Sequence, residues 1–311
     1  VSLLLLDAHE VGSRDGTRIA YYTTREPFRG APVIVLANGL GGPRYAWRAL
    51  IDYLGDRYRF ITWDYRGLYG SGRPADGDSA DAYSVARHVD DLQAVLQDQG
   101  VERAVLVGWS MGVQVCLEAY RRDPSLPTSL VLLNGTFGRP IDTAVPSPAV
   151  RRAVGPALLL AERLASPLQR GLRALAAQPE FVGWMKRFGV MAETVEESDF
   201  AEVVAMFKTL DVEVYVKNLR ALAEHDASRI LEQIAVPVLV VTGNRDRMTP
   251  HGLSQQMVRR IPRAEILVVR GATHYAAVEF PELIGLRIER FFRDHDLPEA
   301  GRRPPKQVGA G

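Results

Sequence analysis

Gly108-Trp109-Ser110-Met111-Gly112 stands between the apolar run Val105-Leu106-Val107 and the segment Val113-Gln114-Val115-Cys116-Leu117-Glu118. A strand that passes straight into a helix through two glycines and a serine leaves the backbone few options. The serine must occupy a sharp, strained turn, and a Cβ on either flanking glycine would collide with the neighbouring strand or helix. Its hydroxyl then projects above the sheet at the start of a helix whose first amides have no internal acceptor. G-x-S-x-G also arises by chance in a chain with 27 glycines. Here the strand before it and the helix after it give the pattern its weight.

The rest of the chain repeats the same rhythm. Short apolar, β-branched runs at Val33–Ala37, Arg59–Trp63, Ala104–Val107, Leu130–Leu133, Val238–Thr242 and Glu265–Val269 predict strands covered on both faces. Helices are expected between them, near Ala46–Leu54, Ser84–Gln99, Gly112–Arg121, Gly252–Ile261 and Leu283–Asp294. This alternation describes parallel strands joined by crossover helices, an α/β architecture. Leu3–Val11 and Thr17–Thr24, separated by Ser13-Arg14-Asp15-Gly16, read as an antiparallel hairpin at the sheet edge. The rhythm breaks between Phe137 and Gln233, where Pro140, Pro146, Pro148, Pro156, Pro167 and Pro179 punctuate helical patches with little strand character. We read residues 137–233 as a helical cap inserted between two parts of one core, 1–136 and 234–297; the other reading makes them further helices of the main domain. Residues 298–311 are Pro/Gly-rich and polar, and are expected to form a loose tail.

Composition excludes several function classes. A net charge of +1 provides no field for nucleic acid or an anionic membrane. The single cysteine, Cys116, rules out an internal disulfide and a cysteine zinc cluster, and neither an H-x-x-x-H nor a carboxylate cluster suggests a metal site. Leu3–Leu6 is too short to span a bilayer and lacks the flanks of a secretory signal, so no membrane insertion and a cytoplasmic location are expected.

Two later strands end in polar loops: Gly243-Asn244-Arg245-Asp246 after the strand at 238–242, and Gly271-Ala272-Thr273-His274 after the strand at 265–269. Catalytic groups of open α/β sheets gather beyond the carboxyl ends of their strands, so Ser110, Asp246 and His274 should meet at one edge. The chemistry needs all three types. A serine hydroxyl becomes a nucleophile when a neutral imidazole takes its proton, and a carboxylate must fix the tautomer of that imidazole and stabilise its cation. His251 falls at a helix start, and His9, His88, His225 and His295 lack such a setting, so surface placement is expected for them. Asp64 and Arg66 are expected to brace their own turn.

With these segments in place, the chain resembles an α/β-hydrolase-fold serine hydrolase with a helical cap, over roughly residues 3 to 294. Ser110, Asp246 and His274 follow the chain order of that family, and Asp64-Tyr65-Arg66-Gly67-Leu68-Tyr69-Gly70-Ser71-Gly72 resembles its D-x-R-G-x-G-x-S turn. Some members carry the acid after the strand preceding the cap, but here that strand ends in Leu133-Asn134-Gly135 and offers no carboxylate. The resemblance implies a mostly parallel eight-stranded sheet flanked by helices. It also implies an oxyanion hole from the backbone amides of Leu40 and Met111. Asn38-Gly39 stands where relatives often have His-Gly, and Asn38, Gly39 and Trp109 are expected to contact substrate, Asn38 through either substrate or its neighbours' hydrogen bonds. In the cap, Leu158–Leu160, Phe181, Trp184, Met185, Phe188, Met191 and Met206 are candidates for apolar contact or for plain cap core. The implied reaction is hydrolysis of a small-molecule ester or thioester with an apolar acyl or alkyl group, through an acyl-enzyme and without a cofactor. Perhydrolysis or acyl transfer by the same triad, or a non-catalytic binding role, are the alternatives.

Overall fold

A computed structural model describes residues 6–77, 79, 81–140, 142, 147–189, 191–192, 204–206 and 208–297. Eight strands form one sheet: β1 (Asp7–Gly12), β2 (Arg18–Thr23), β3 (Val33–Ala37), β4 (Arg59–Trp63), β5 (Ala104–Trp109), β6 (Pro127–Leu133), β7 (Val238–Gly243) and β8 (Ala264–Val269). Their spatial order is β1-β2-β4-β3-β5-β6-β7-β8. β1 pairs antiparallel with β2, and β2 with β4, while every pair from β4 to β8 is parallel. The expected α/β-hydrolase sheet is therefore present. The hairpin begins at Asp7, and residues 3–5 of the expected first strand lie outside the described residues, as do 298–311 of the expected tail. Its turn closes through Ser13 N–H to the Thr17 carbonyl at 2.8 Å, with Gly16 at φ +82.

β5 is buried at all six positions, and so is β7. That explains their unbroken apolar sequence: helices cover both faces, so no position alternates toward water. On one face lie α2 (Val85–Asp98) and α3 (Met111–Arg122); on the other, α1 (Arg48–Leu54) packs against the closing helix of the chain, Pro281–Asp294. The first of these begins where a side chain can hold it: Ser84 accepts from the Arg87 amide and caps α2. The expected helix at 46–54 opens as a 3-10 turn over Arg44–Trp47 before α1.

Between β6 and β7 the described chain is helical: α4 (Pro148–Arg163), α5 (Ala165–Ala176), α6 (Phe181–Arg187) and α7 (Val212–Glu224). α7 packs on α4 and α5. Beyond β7 follow α8 (His251–Arg260), a short α9 (Ala276–Glu279) and the closing α10 (Pro281–Asp294). Among the described residues no helix is long and apolar enough to cross a membrane.

Candidate active site

Ser110 sits at φ +55, ψ −113, a strained conformation for a residue with a Cβ. The two glycines around it have separate steric reasons. A Cβ on Gly108 would lie 2.4 Å from the carbonyl oxygen of Gly112, inside the turn itself, whereas one on Gly112 would lie 2.1 Å from the Ala37 carbonyl oxygen at the end of β3. α3 can therefore start against the sheet only without those side chains, and the turn lifts Ser110 to the carboxyl edge of β5.

Two other strand ends deliver the partners. His274 Nε2 is 2.9 Å from Ser110 Oγ, and His274 Nδ1 is 2.9 Å from Asp246 Oδ2, so the three residues expected to meet do meet. Asp246 is anchored by its own loop: the Met248 and Thr249 amides donate to Oδ1 at 2.8 and 2.9 Å, and the Thr249 hydroxyl donates to Oδ2 at 2.7 Å. Burial alone would raise the carboxyl pKa. The bond and charge of His274, together with the Thr249 donors, overcome burial and hold it below the ordinary carboxylate range. His274 is 4% exposed, and its carbonyl accepts the indole N–H of Trp109 at 2.8 Å.

Sequence reasoning missed Asn134, which stands at the end of β6 with φ +45 and donates its amide to Asp246 Oδ2 at 2.8 Å and to the Thr273 carbonyl at 3.2 Å. Its position where some relatives carry the acid was the available signal. An amide there supplies a donor to the neighbouring carboxylate in place of a second negative charge.

The loop after β3 passes over the Trp109 ring. A Cβ on Gly39 would be 3.0 Å from that ring and one on Gly42 2.6 Å, and the loop tightens through Gly42 N–H to the Gly39 carbonyl at 2.8 Å. Within it the Leu40 amide meets no backbone acceptor among the described residues. The Met111 amide opens α3 and has no acceptor inside the helix.

Asn38 requires a correction. It is 2% exposed and does not line the cavity beside Ser110: its amide N–H donates to the Trp63 carbonyl at 2.8 Å, and its Oδ1 accepts the Trp47 indole N–H at 2.6 Å. The Tyr65 hydroxyl donates to its backbone carbonyl at 2.6 Å. Asn38 thus fixes the start of the loop from behind, because the Trp47 indole and the Trp63 carbonyl engage its amide and hold the side chain inward. Gly39 and Trp109 do line the cavity.

That cavity measures about 740 Å³ and contains Ser110 and His274 in its wall. The helical segment contributes Leu168 and Leu172 from α5, and Val216, Leu219 and Leu222 from α7, with Leu210 just before it. None of Leu158–Leu160, Phe181, Trp184, Met185, Phe188, Met191 or Met206 lines it. Leu159, Leu160, Trp184 and Phe188 are exposed, and Met191 is buried elsewhere. Apolar periodicity marks a face on a helix and leaves its partner open, and here α5 and α7 are the helices turned toward Ser110.

Three histidines also depart from expectation or gain detail. His88 is fully buried, its Nε2 2.7 Å from Asn218 Oδ1 on α7. His225 is half-buried, with Nδ1 2.6 Å from Gln114 Oε1. His251 opens α8 and contacts Gln255, away from Ser110. Asp64 and Arg66 brace their surroundings as expected: Asp64 accepts from the Gly70 amide at 3.0 Å, and Arg66 holds Asp91 at 2.6 Å and Asp15 at 2.8 Å.

A doubly wound sheet that brings a hydroxyl, an imidazole and a carboxylate together above its carboxyl edge belongs to the α/β enzymes whose chemistry sits in loops beyond the strands. Residues 34–284 match the model of the alpha/beta hydrolase family, and the chain belongs to that family. It is similar to a proposed carbamate hydrolase, RutD, of Klebsiella pneumoniae (strain 342), with 30% identity over 77% of this chain and 83% of the relative. Among solved structures it resembles a hydrolase from Pseudomonas aeruginosa, with TM-score 0.72, 23% identity and coverage of 92% and 98% of the two chains. It also resembles the enol-lactonase of Burkholderia xenovorans LB400, with TM-score 0.73, 22% identity and coverage of 92% and 100%.

Proposed function

We propose that this chain is a serine hydrolase that cleaves a carboxylic ester or thioester bearing a bulky apolar acyl or alkyl group. The observation that carries the reading is the bonded chain from Ser110 Oγ through His274 to Asp246, opening into a mainly apolar cavity of about 740 Å³. In this scheme Ser110 attacks the carbonyl carbon while His274 Nε2 takes its proton. The negative oxygen settles against the amides of Leu40 and Met111. His274 then protonates the leaving alcohol or thiol, and water, deprotonated by the same imidazole, releases the acid from Ser110. Asp246 stays ionised throughout and stabilises the imidazolium. Gly39 and Trp109 shape the wall beside the carbonyl, while residues 137–233 act as the cap and provide most of the apolar contact.

The names of the relatives include an enol-lactone and a carbamate, both of which present a carbonyl carbon to a nucleophile. A small or charged carbonyl compound would leave much of this cavity unfilled or its charge without a cationic partner among the lining residues, so the volume and lining favour a bulky, apolar substrate.

A fluorophosphonate probe tests the nucleophile: the wild type should be labelled and Ser110→Ala should not. Equal labelling of both proteins rejects the assignment. A series of p-nitrophenyl esters of rising chain length should then show kcat/KM climbing with length until the cavity is filled. Adding hydrogen peroxide or an alcohol and measuring how the acyl group partitions separates hydrolysis from perhydrolysis or acyl transfer.

A further inference from the structure

We propose that Tyr215 is a specificity-determining hydrogen-bond donor, and that the preferred substrate carries an oxygen acceptor on its otherwise apolar part. The inference rests on the ester-hydrolase reading above and narrows its substrate class to esters bearing a second oxygen function, such as a ketone, ether or further ester.

Several polar side chains of the cavity wall already hold their hydrogen bonds, and Tyr215 does not. Gln114 donates to the Gly138 carbonyl at 2.8 Å and meets His225 through its Oε1. Thr136 donates to the same Gly138 carbonyl at 2.9 Å, and Thr249 donates to Asp246 at 2.7 Å. The Trp109 indole N–H is taken by the His274 carbonyl. Tyr215 differs: its hydroxyl donates to no acceptor among the described residues, although the residue lines the cavity.

Its surroundings hold it in place. The ring packs on the loop that carries Leu40, close enough that a Cβ on Gly41 would lie 2.9 Å from Cε2 and 3.0 Å from Cδ2. Gly41 has φ +68, and its carbonyl accepts the Tyr69 hydroxyl at 2.5 Å, which pins the loop beneath the Tyr215 ring. Every other residue that α5 and α7 turn into the cavity is apolar: Leu168, Gly171, Leu172, Val216, Leu219 and Leu222 are among them. Burial pushes the Tyr215 phenol up from its ordinary value, so it remains a donor at neutral pH. A ligand oxygen would meet a rigid, unfulfilled donor, the kind of polar group that fixes orientation in an apolar site.

The experiment compares matched esters. In the acyl series, p-nitrophenyl octanoate is set against its 5-, 6- and 7-oxo derivatives; in the alcohol series, octyl acetate is set against acetates of the corresponding hydroxyoctanones. For each protein the readout is the ratio of kcat/KM for the oxo ester to that for its parent, which cancels any general change in activity. The wild type should prefer at least one oxo position by about tenfold, as expected for one hydrogen bond. Tyr215→Phe, which keeps the ring, should bring that ratio close to one, while Tyr275→Phe, at the second tyrosine of the cavity wall, should keep it. Absence of preference in the wild type, a ratio unchanged in Tyr215→Phe, or a ratio lost in Tyr275→Phe alone would each overturn the proposal while leaving ester hydrolysis standing. If no ester is hydrolysed and the fluorophosphonate fails to label Ser110, the hydrolase reading falls, and this inference with it.

Discussion

Replacing His88 by glutamine should flatten the acid side of the stability profile. His88 lies on α2 with no exposed surface, its Nε2 2.7 Å from Asn218 of α7, its Nδ1 3.8 Å from Asp91 and its ring 4.6 Å from that of Tyr65. Burial, reinforced by the positive charge of Arg66, lowers its pKa from 6.5 to about 3 despite the bond to Asn218. The unfolded chain therefore takes up this proton near pH 6.5, and the folded chain only near pH 3. The stability contributed by neutral His88 is complete above 6.5 and is lost progressively as the pH falls toward 3. From pH 7 to pH 5 the titrating interval is about 1.5 units, and at about 1.4 kcal/mol per unit the loss is about 2 kcal/mol. Glutamine can still donate to Asn218 and does not titrate. Urea denaturation at pH 7 and pH 5 should show the wild type losing about 2 kcal/mol more than His88→Gln across that interval, other carboxylates contributing equally to both. Equal losses in the two proteins would refute the reasoning.

Other perturbations follow from the same geometry. Asp246→Asn should lower kcat by about four orders of magnitude with a modest change in KM, since an amide presents a donor to the imidazole and favours the wrong tautomer; steady-state kinetics on a p-nitrophenyl ester reads this directly. Asn134→Leu removes a donor from Asp246 and should cost about 1.5–3 kcal/mol at neutral pH. Because the Asp246 pKa is held below 3.8, that cost should persist through 3.8 and shrink only as the pH falls further through the folded value, which a denaturation series run downward from pH 7 would reveal. Gly112→Ala places a Cβ 2.1 Å from the Ala37 carbonyl and should abolish soluble expression or labelling of Ser110, whereas Gly155→Ala, with open space around the site, should be tolerated in both assays. Asn38→Leu should lower kcat by about tenfold while KM stays within a factor of two, because the loop carrying Leu40 loses its anchors to Trp47 and Trp63. An unchanged kcat would mean that the Trp109 packing and the Tyr65 and Tyr69 hydroxyls hold the loop without the Asn38 side chain.

Much of the core was legible in the chain because its rules are local. A buried parallel strand needs a continuous apolar run, and β5 and β7 have one. A strand that turns at once into a helix needs Gly108 and Gly112, and their steric reasons are confined to that turn and the strand end beside it. Polar loops after β7 and β8 were readable for the same reason, and with them Asp246 and His274. Helix limits were readable to within a few residues where a cap such as Ser84 stood at the boundary.

The amino-acid order by itself determined the strands, the strained turn and the identities of the hydroxyl, imidazole and carboxylate that meet at one sheet edge. Only the tertiary structure decided what surrounds them: that Asn38 faces the Trp47 indole and the Trp63 carbonyl, that Asn134 serves Asp246, that His88 is dry, and that α5 and α7, rather than α4 or α6, close over Ser110. The physical reason is range. Propensity, capping and turn sterics act within a few residues, whereas Ser110 and His274 are 164 positions apart, and the direction in which a side chain points across such a gap is set by the packing of whole helices on the sheet.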